Sequence, residues 1–125
     1  MNLLLDSHTL LWALHDPDRL LPAARAAISD PRRAVYFSAA SAWELELKAS
    51  SGKLTLPDHW LAAALETGFI QLPITASDAQ RSAHLPRHNQ DPFDRMLVAQ
   101  ALTHGLQLAT RDVVMALYEV PRLLV

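Results

Sequence analysis

The feature that most constrains this chain is the form of its apolar segments. Leu3 to Leu5 is a continuous apolar run that stops abruptly at Asp6. A strand with one face in water alternates apolar and polar residues. A strand covered on both faces does not, and that is the habit of parallel sheets. Ala34 to Ser38, AVYFS, is the strongest strand by propensity. FIQLPI at 69–74 and LQLAT at 106–110 repeat the pattern, with Pro73 suiting a strand end, and the tail VPRLLV offers a fifth strand.

Helical stretches with their own start and stop signals lie between these runs. Ser7 is a good N-cap for HTLLWALH, which ends near Asp16-Pro17, and Pro22 opens PAARAAIS, stopped before Pro31. Ser41 caps a helix that closes at Gly52, Asp58 caps one that stops at Gly68, and TASDAQRSAHL supplies a shorter one. DPFDRMLVAQALTHG is the clearest of all: Asp91 caps, Pro92 takes the first helical position and Gly105 terminates. VVMALY reads as a short turn or helix. Strands alternating with helices predict an α/β domain spanning residues 1–125, with a parallel sheet of four or five strands covered by helices on both faces.

Composition narrows the chemistry. The chain has no cysteine, which excludes a disulfide scaffold, a thiolate metal site and a Cys nucleophile, and suits a reducing, cytoplasmic compartment. Thirteen acids against eleven bases give a net charge of −2, so any nucleic acid must be met by a local patch or through bound cations. The N-terminus is apolar but has no basic leader and is broken by Asp6, so neither a signal peptide nor a membrane span is expected.

In parallel sheets, ligands bind beyond the carboxyl ends of the strands. Asp6 closes the first strand, Asp112 follows LQLAT, and Glu44 stands in the expected first turn of the helix after AVYFS. Asp94 opens the helix before LQLAT and joins them only if that helix starts at the same edge. Each acid has a structural reading: Ser41 and Glu44 form a capping-box pattern, Asp91 is an N-cap, and Asp112 suits a turn. Asp6 is hardest to explain in this way, because Ser7 already serves as a cap. Together the four acids point to a cation. Two carboxylates about 4 Å apart repel by roughly 4 kcal/mol at an effective dielectric near 20, and an ion between them removes that cost. All-oxygen ligands favour Mg²⁺ or Mn²⁺ over zinc. Arg95 and Arg111 flank two of the acids and Lys48 lies one helical turn after Glu44, all three candidates for phosphate contact. Trp12, Trp43 and Trp60 sit in apolar helical patterns that predict core or dimer interface, and no strip of aromatic and basic residues suggests base stacking.

LLLDSHTLLW, then SAASAWELELK, then DPFDRMLVAQALTHGLQLATRD, resemble the PIN domain, and more narrowly the VapC-like toxin ribonucleases of toxin–antitoxin pairs. The resemblance covers nearly the whole chain. It implies a three-layer α/β/α PIN-like fold and a Mg²⁺- or Mn²⁺-dependent endoribonuclease acting on RNA. It assigns the acid quartet to Asp6, Glu44, Asp94 and Asp112. Ser7, Ser41 and Thr110 fall at small hydroxyl positions beside the metal, and Asp91 is an extra acid supporting the site. It also implies a homodimer silenced by a small antitoxin protein. A catalytically weak PIN-like module that binds RNA or protein is the alternative.

Other chemistries fit less well. His84 and His88 have helical i,i+4 spacing, but Pro86 between them argues against a zinc site on one face. A phosphoaspartyl enzyme of the haloacid dehalogenase type needs a second acid two residues after the first, where this chain has His8. A response-regulator receiver wants paired early acids and a lysine after a late strand.

Overall fold

In the computed structural model, which describes residues 1–125, five strands form one sheet. They are β1 (Leu3–Leu5), β2 (Val35–Ser38), β3 (Ile70–Leu72), β4 (Gln107–Thr110) and β5 (Arg122–Leu124), in the order β3-β2-β1-β4-β5 with every neighbouring pair parallel. Six α-helices accompany them: α1 (Ser7–His15), α2 (Pro22–Ser29), α3 (Ala39–Ser50), α4 (Trp60–Thr67), α5 (Ala76–Ala83) and α6 (Pro92–His104). None is long and apolar enough to cross a membrane.

The unbroken leucine run follows from burial on two sides. Leu3 and Leu5 belong to the apolar cluster on one face, with Leu10, Phe37, Leu45 and Trp60. Leu4 points the other way, into a cluster with Leu97, Val98, Leu108 and Met115. All three leucines are fully buried, each contributing roughly 1.5–3 kcal/mol relative to exposure.

The strand order creates a switch point. The chain leaves β1 toward β2 and leaves β4 toward β5 on the opposite side, so a crevice opens beyond the carboxyl ends of β1 and β4. Helix α6 reaches β4 through Gly105 and Leu106 alone. Gly105 adopts a left-handed conformation (φ 65°) that ends the helix and returns its N–H to the Ala101 carbonyl. A helix feeding a strand so directly runs against it, which puts the start of α6, and Asp94, at the carboxyl edge.

Several helix starts differ from expectation. Asp6, not Ser7, caps α1: its Oδ1 accepts the Thr9 amide at 2.9 Å. Ser38 caps α3, its hydroxyl accepting the Ala40 amide, so β2 passes into the helix with no intervening loop. Ser41 therefore lies inside the first turn, buried with an unpartnered hydroxyl, and Glu44 falls in the second turn rather than the first. The capping-box reading of Ser41 and Glu44 does not hold. Asp58 gives way to His59, which precedes α4 at φ 60° without capping it through its side chain.

Candidate active site

The crevice holds a cavity of about 360 Å³ lined by five carboxylates: Asp6, Glu44, Asp91, Asp94 and Asp112. Each arrives by a different local route. Asp6 ends β1. Its Oδ2 accepts the Thr110 hydroxyl at 2.6 Å, a bond that ties the ends of β1 and β4 together across the switch point. Thr110 Oγ1 in turn accepts the Asp112 amide at 3.1 Å. Asp112 starts the 3-10 turn Val113–Leu117, its Oδ1 accepting the Val114 amide at 3.0 Å. The turn reading and the cavity position of Asp112 thus coexist.

Glu44 is 8% exposed, too buried for a solvated carboxylate. The Ser7 hydroxyl donates to its Oε1, and the Lys48 ammonium lies 2.9 Å from its Oε2. That carboxylate raises the Lys48 ammonium above its ordinary value of 10.5. Lys48 reaches the cavity wall already paired to an acid, so any role at phosphate is shared with Glu44.

The acids at the head of α6 divide their work. Asp91 is the N-cap, with Oδ1 accepting the amides of Phe93 and Asp94. Asp94 caps nothing. Its Oδ2 accepts from the Asn89 side-chain amide at 3.1 Å. Burial, followed by the negative charges of Asp91, Asp112, Glu44 and Asp6, pushes its carboxyl up from 3.8 to about 7. No cation of the chain pairs directly with Asp94.

Two cations expected at the site have different fates. Arg111 lines the cavity. Its guanidinium donates to the carbonyls of Val125 and Arg19 and lies 4.5 Å over the Trp12 ring. Arg95 is 7% exposed and turns away from the cavity, donating to the carbonyls of Ser82, Leu85 and Pro86. It fastens the segment between α5 and α6 and does not reach a substrate there. One residue of helix is a rotation of about 100°, which takes Arg95 off the face that Asp94 uses. Ser41 is buried in the first turn of α3 and does not line the cavity.

The tryptophans also separate. Trp60 is core, whereas Trp43 is 59% exposed and meets Phe93 edge-on. Trp12 lies on the cavity wall, stacked with His8 and beneath Arg111, so an aromatic-and-basic cluster assembles in space that no contiguous strip announces. Sequence reading also missed Asn89. Its loop follows no periodicity, and only its distance from Asp94 reveals it.

The donor set fits a hard divalent cation. It is all oxygen, and Asp94 leaves an excess of negative charge that the protein's own cations do not neutralise. No three acidic or histidine side chains converge on one ion position. Mg²⁺ suits such a site, since it is held by one or two carboxylates and keeps several waters.

Comparison with known proteins bears on the family and the fold. The PIN domain family model matches residues 3–122. Over 115 residues the chain is 34% identical to Ribonuclease VapC22 of Mycobacterium tuberculosis, covering 89% of this chain and 87% of that protein. Among solved structures, VapBC2 from Rickettsia felis bound to a DNA fragment from their promoter superposes with a TM-score of 0.72 at 13% identity, covering 98% of both chains. FitAcB from Neisseria gonorrhoeae superposes with a TM-score of 0.65 at 25% identity, covering 98% of this chain and 96% of that one.

Proposed function

Because the chain belongs to the PIN-domain family, we propose that it is a VapC-type ribonuclease that hydrolyses RNA phosphodiester bonds with Mg²⁺ or Mn²⁺, as the toxin of a type II toxin–antitoxin pair. The observation that carries the reading is the convergence of Asp6, Glu44, Asp94 and Asp112 on one cavity at the sheet's switch point, with the charge of Asp94 left uncompensated. We assign these four acids to the metal site, one or two holding the ion directly and the others reaching it through its waters. A divalent ion, when held by these residues, would lower the pKa of a water and offset charge developing on a phosphate. Thr110 and the Thr9 amide hold the Asp6 carboxylate in one orientation, and Ser7 with Lys48 does the same for Glu44. Asp91 supports the start of α6 and adds to the field. Arg111, fixed by two carbonyls and Trp12, lines the same cavity and is the cation we assign to phosphate contact.

The partner we assign is a small antitoxin protein, by likeness to relatives solved as VapBC and FitAcB. A homodimer and a cytoplasmic location complete the reading. Exposed apolar side chains on α3 and α4, Trp43, Leu47, Leu61 and Leu65, support association with another chain.

The test is cleavage of a structured RNA with and without Mg²⁺ or Mn²⁺, wild type beside Asp6→Asn. The expected result is divalent-dependent cleavage that falls on the order of 100-fold or more in the variant, the scale of losing a group that stabilises transition-state charge. Equal cleavage by both proteins would assign the activity to a contaminant. No cleavage by either in the presence of the ions would leave a module that only binds RNA or protein.

A further inference from the structure

The orientation of Asp94 depends on side chains outside the cavity, and those side chains form a continuous chain. Arg95 Nη1 lies 3.3 Å from the Tyr118 hydroxyl oxygen, the Tyr118 hydroxyl donates to Asn89 Oδ1 at 2.6 Å, and Asn89 Nδ2 donates to Asp94 Oδ2 at 3.1 Å. With Asp94 ionised, the direction of every link is dictated by chemistry. A guanidinium only donates, so Tyr118 must accept from it and spend its own proton on Asn89. The amide of Asn89 must then offer its carbonyl oxygen to Tyr118 and its NH₂ to the carboxylate. The anchor is rigid: Arg95 is 7% exposed and Tyr118 5% exposed, and Arg95 also holds the carbonyls of Ser82, Leu85 and Pro86 along the bend leading to Asn89.

We propose that Asn89 and Tyr118 are positioning residues for the metal site: a one-way hydrogen-bond relay from the buried Arg95 fixes the Asp94 carboxylate with Oδ2 engaged and Oδ1 free for the ion. This inference rests on the proposed metal-dependent reading of the cavity. Partners that orient a ligating carboxylate change metal affinity by roughly 10–100-fold in proteins generally. Tyr118 is the informative link, because it touches neither the cavity nor any acid, and its side-chain path to Asp94 runs through Asn89.

Mn²⁺ binding, followed by the loss of the free-ion electron paramagnetic resonance signal, is the direct readout. It is measured on wild type, Asn89→Ala, Tyr118→Phe and the double variant, with thermal unfolding alongside. The relay predicts a dissociation constant raised about 10-fold or more in Asn89→Ala, several-fold in Tyr118→Phe, and no further in the double variant than in Asn89→Ala, since both act on one link. A lowered melting temperature with unchanged Mn²⁺ affinity would make Tyr118 and Asn89 structural only and overturn the relay. Independent, multiplying effects of the two substitutions would also overturn it. Absence of Mn²⁺ binding by the wild type would instead overturn the metal-site reading on which the relay depends. Asn89 is on a half-buried loop outside the core, so its variant keeps the question answerable if Tyr118→Phe unfolds.

Discussion

Asp94 and Arg95 are neighbours on α6, yet the protein treats their charges in opposite ways. Arg95 is buried among carbonyl oxygens and the Tyr118 hydroxyl, its donors satisfied by fixed backbone acceptors of one protein segment. Asp94 faces a cavity walled by four more carboxylates, with one amide donor from Asn89 and no cation. A buried charge whose partners are complete holds the fold together. A charge that is crowded by like charges is a cost to the folded state, and it makes sense only if something outside the chain compensates it.

The largest effect expected from this contrast is at Arg95. Arg95→Met keeps much of the apolar stem but strips the partner from several partly buried carbonyls and from the Tyr118 hydroxyl, and should lower stability by about 3 kcal/mol in thermal or urea unfolding. Unchanged stability would mean that those carbonyls find water and that the clamp is not structural. Next comes activity: Asp94→Asn should reduce divalent-dependent RNA cleavage on the order of 100-fold, whereas a conservative change at exposed Trp43, such as Trp43→Phe, should leave cleavage by a single chain within a few-fold of wild type.

The same Asp94→Asn protein should be more stable than wild type when no divalent ion is present. The native Asp94 carboxyl holds its proton to about pH 7, against an ordinary value of 3.8, so the folded state binds more protons across that window and loses stability as pH rises through it. The penalty is absent below about pH 4 and complete above about pH 7. Removing the charge should therefore stabilise the metal-free protein by about 1–2 kcal/mol at pH 8, after allowance for solvent screening of a half-buried group, and by almost nothing at pH 4. Saturating Mn²⁺ should reverse the order at pH 8, because the wild type gains binding energy that the neutral amide of the variant cannot match. Wild type more stable than the variant at pH 8 without metal would break the contrast at its acidic half.

Much of this arrangement is written in the chain in a form that physical rules can read. The leucines of β1 announce burial on both faces, Asp91-Pro92 and Gly105 mark both ends of α6, and the carboxyl-edge rule gathers acids separated by more than a hundred positions. The places where the reading failed share a cause. Ser38 and Ser41 are equally good caps by type, and only the length of β2 decides between them. Asp6 takes the cap that Ser7 was expected to fill, freeing the Ser7 hydroxyl for Glu44, an interaction across 37 positions that no local pattern encodes. Arg95 and Arg111 look alike as neighbours of acids. Helical rotation carries one away from the cavity, while Trp12 and two carbonyls hold the other beside it. Pairings at long sequence separation, and loops such as the one bearing Asn89, take their meaning only from the folded chain.

The most direct test is a crystal structure grown or soaked with Mn²⁺ and read by its anomalous scattering. The account predicts a strong peak in the cavity beyond β1 and β4, within coordinating distance, directly or through water, of Asp94 and at least one of Asp6, Glu44 and Asp112. A well-ordered, vacant cavity at saturating Mn²⁺, or an ion bound elsewhere while these carboxylates face only solvent and one another, would contradict it.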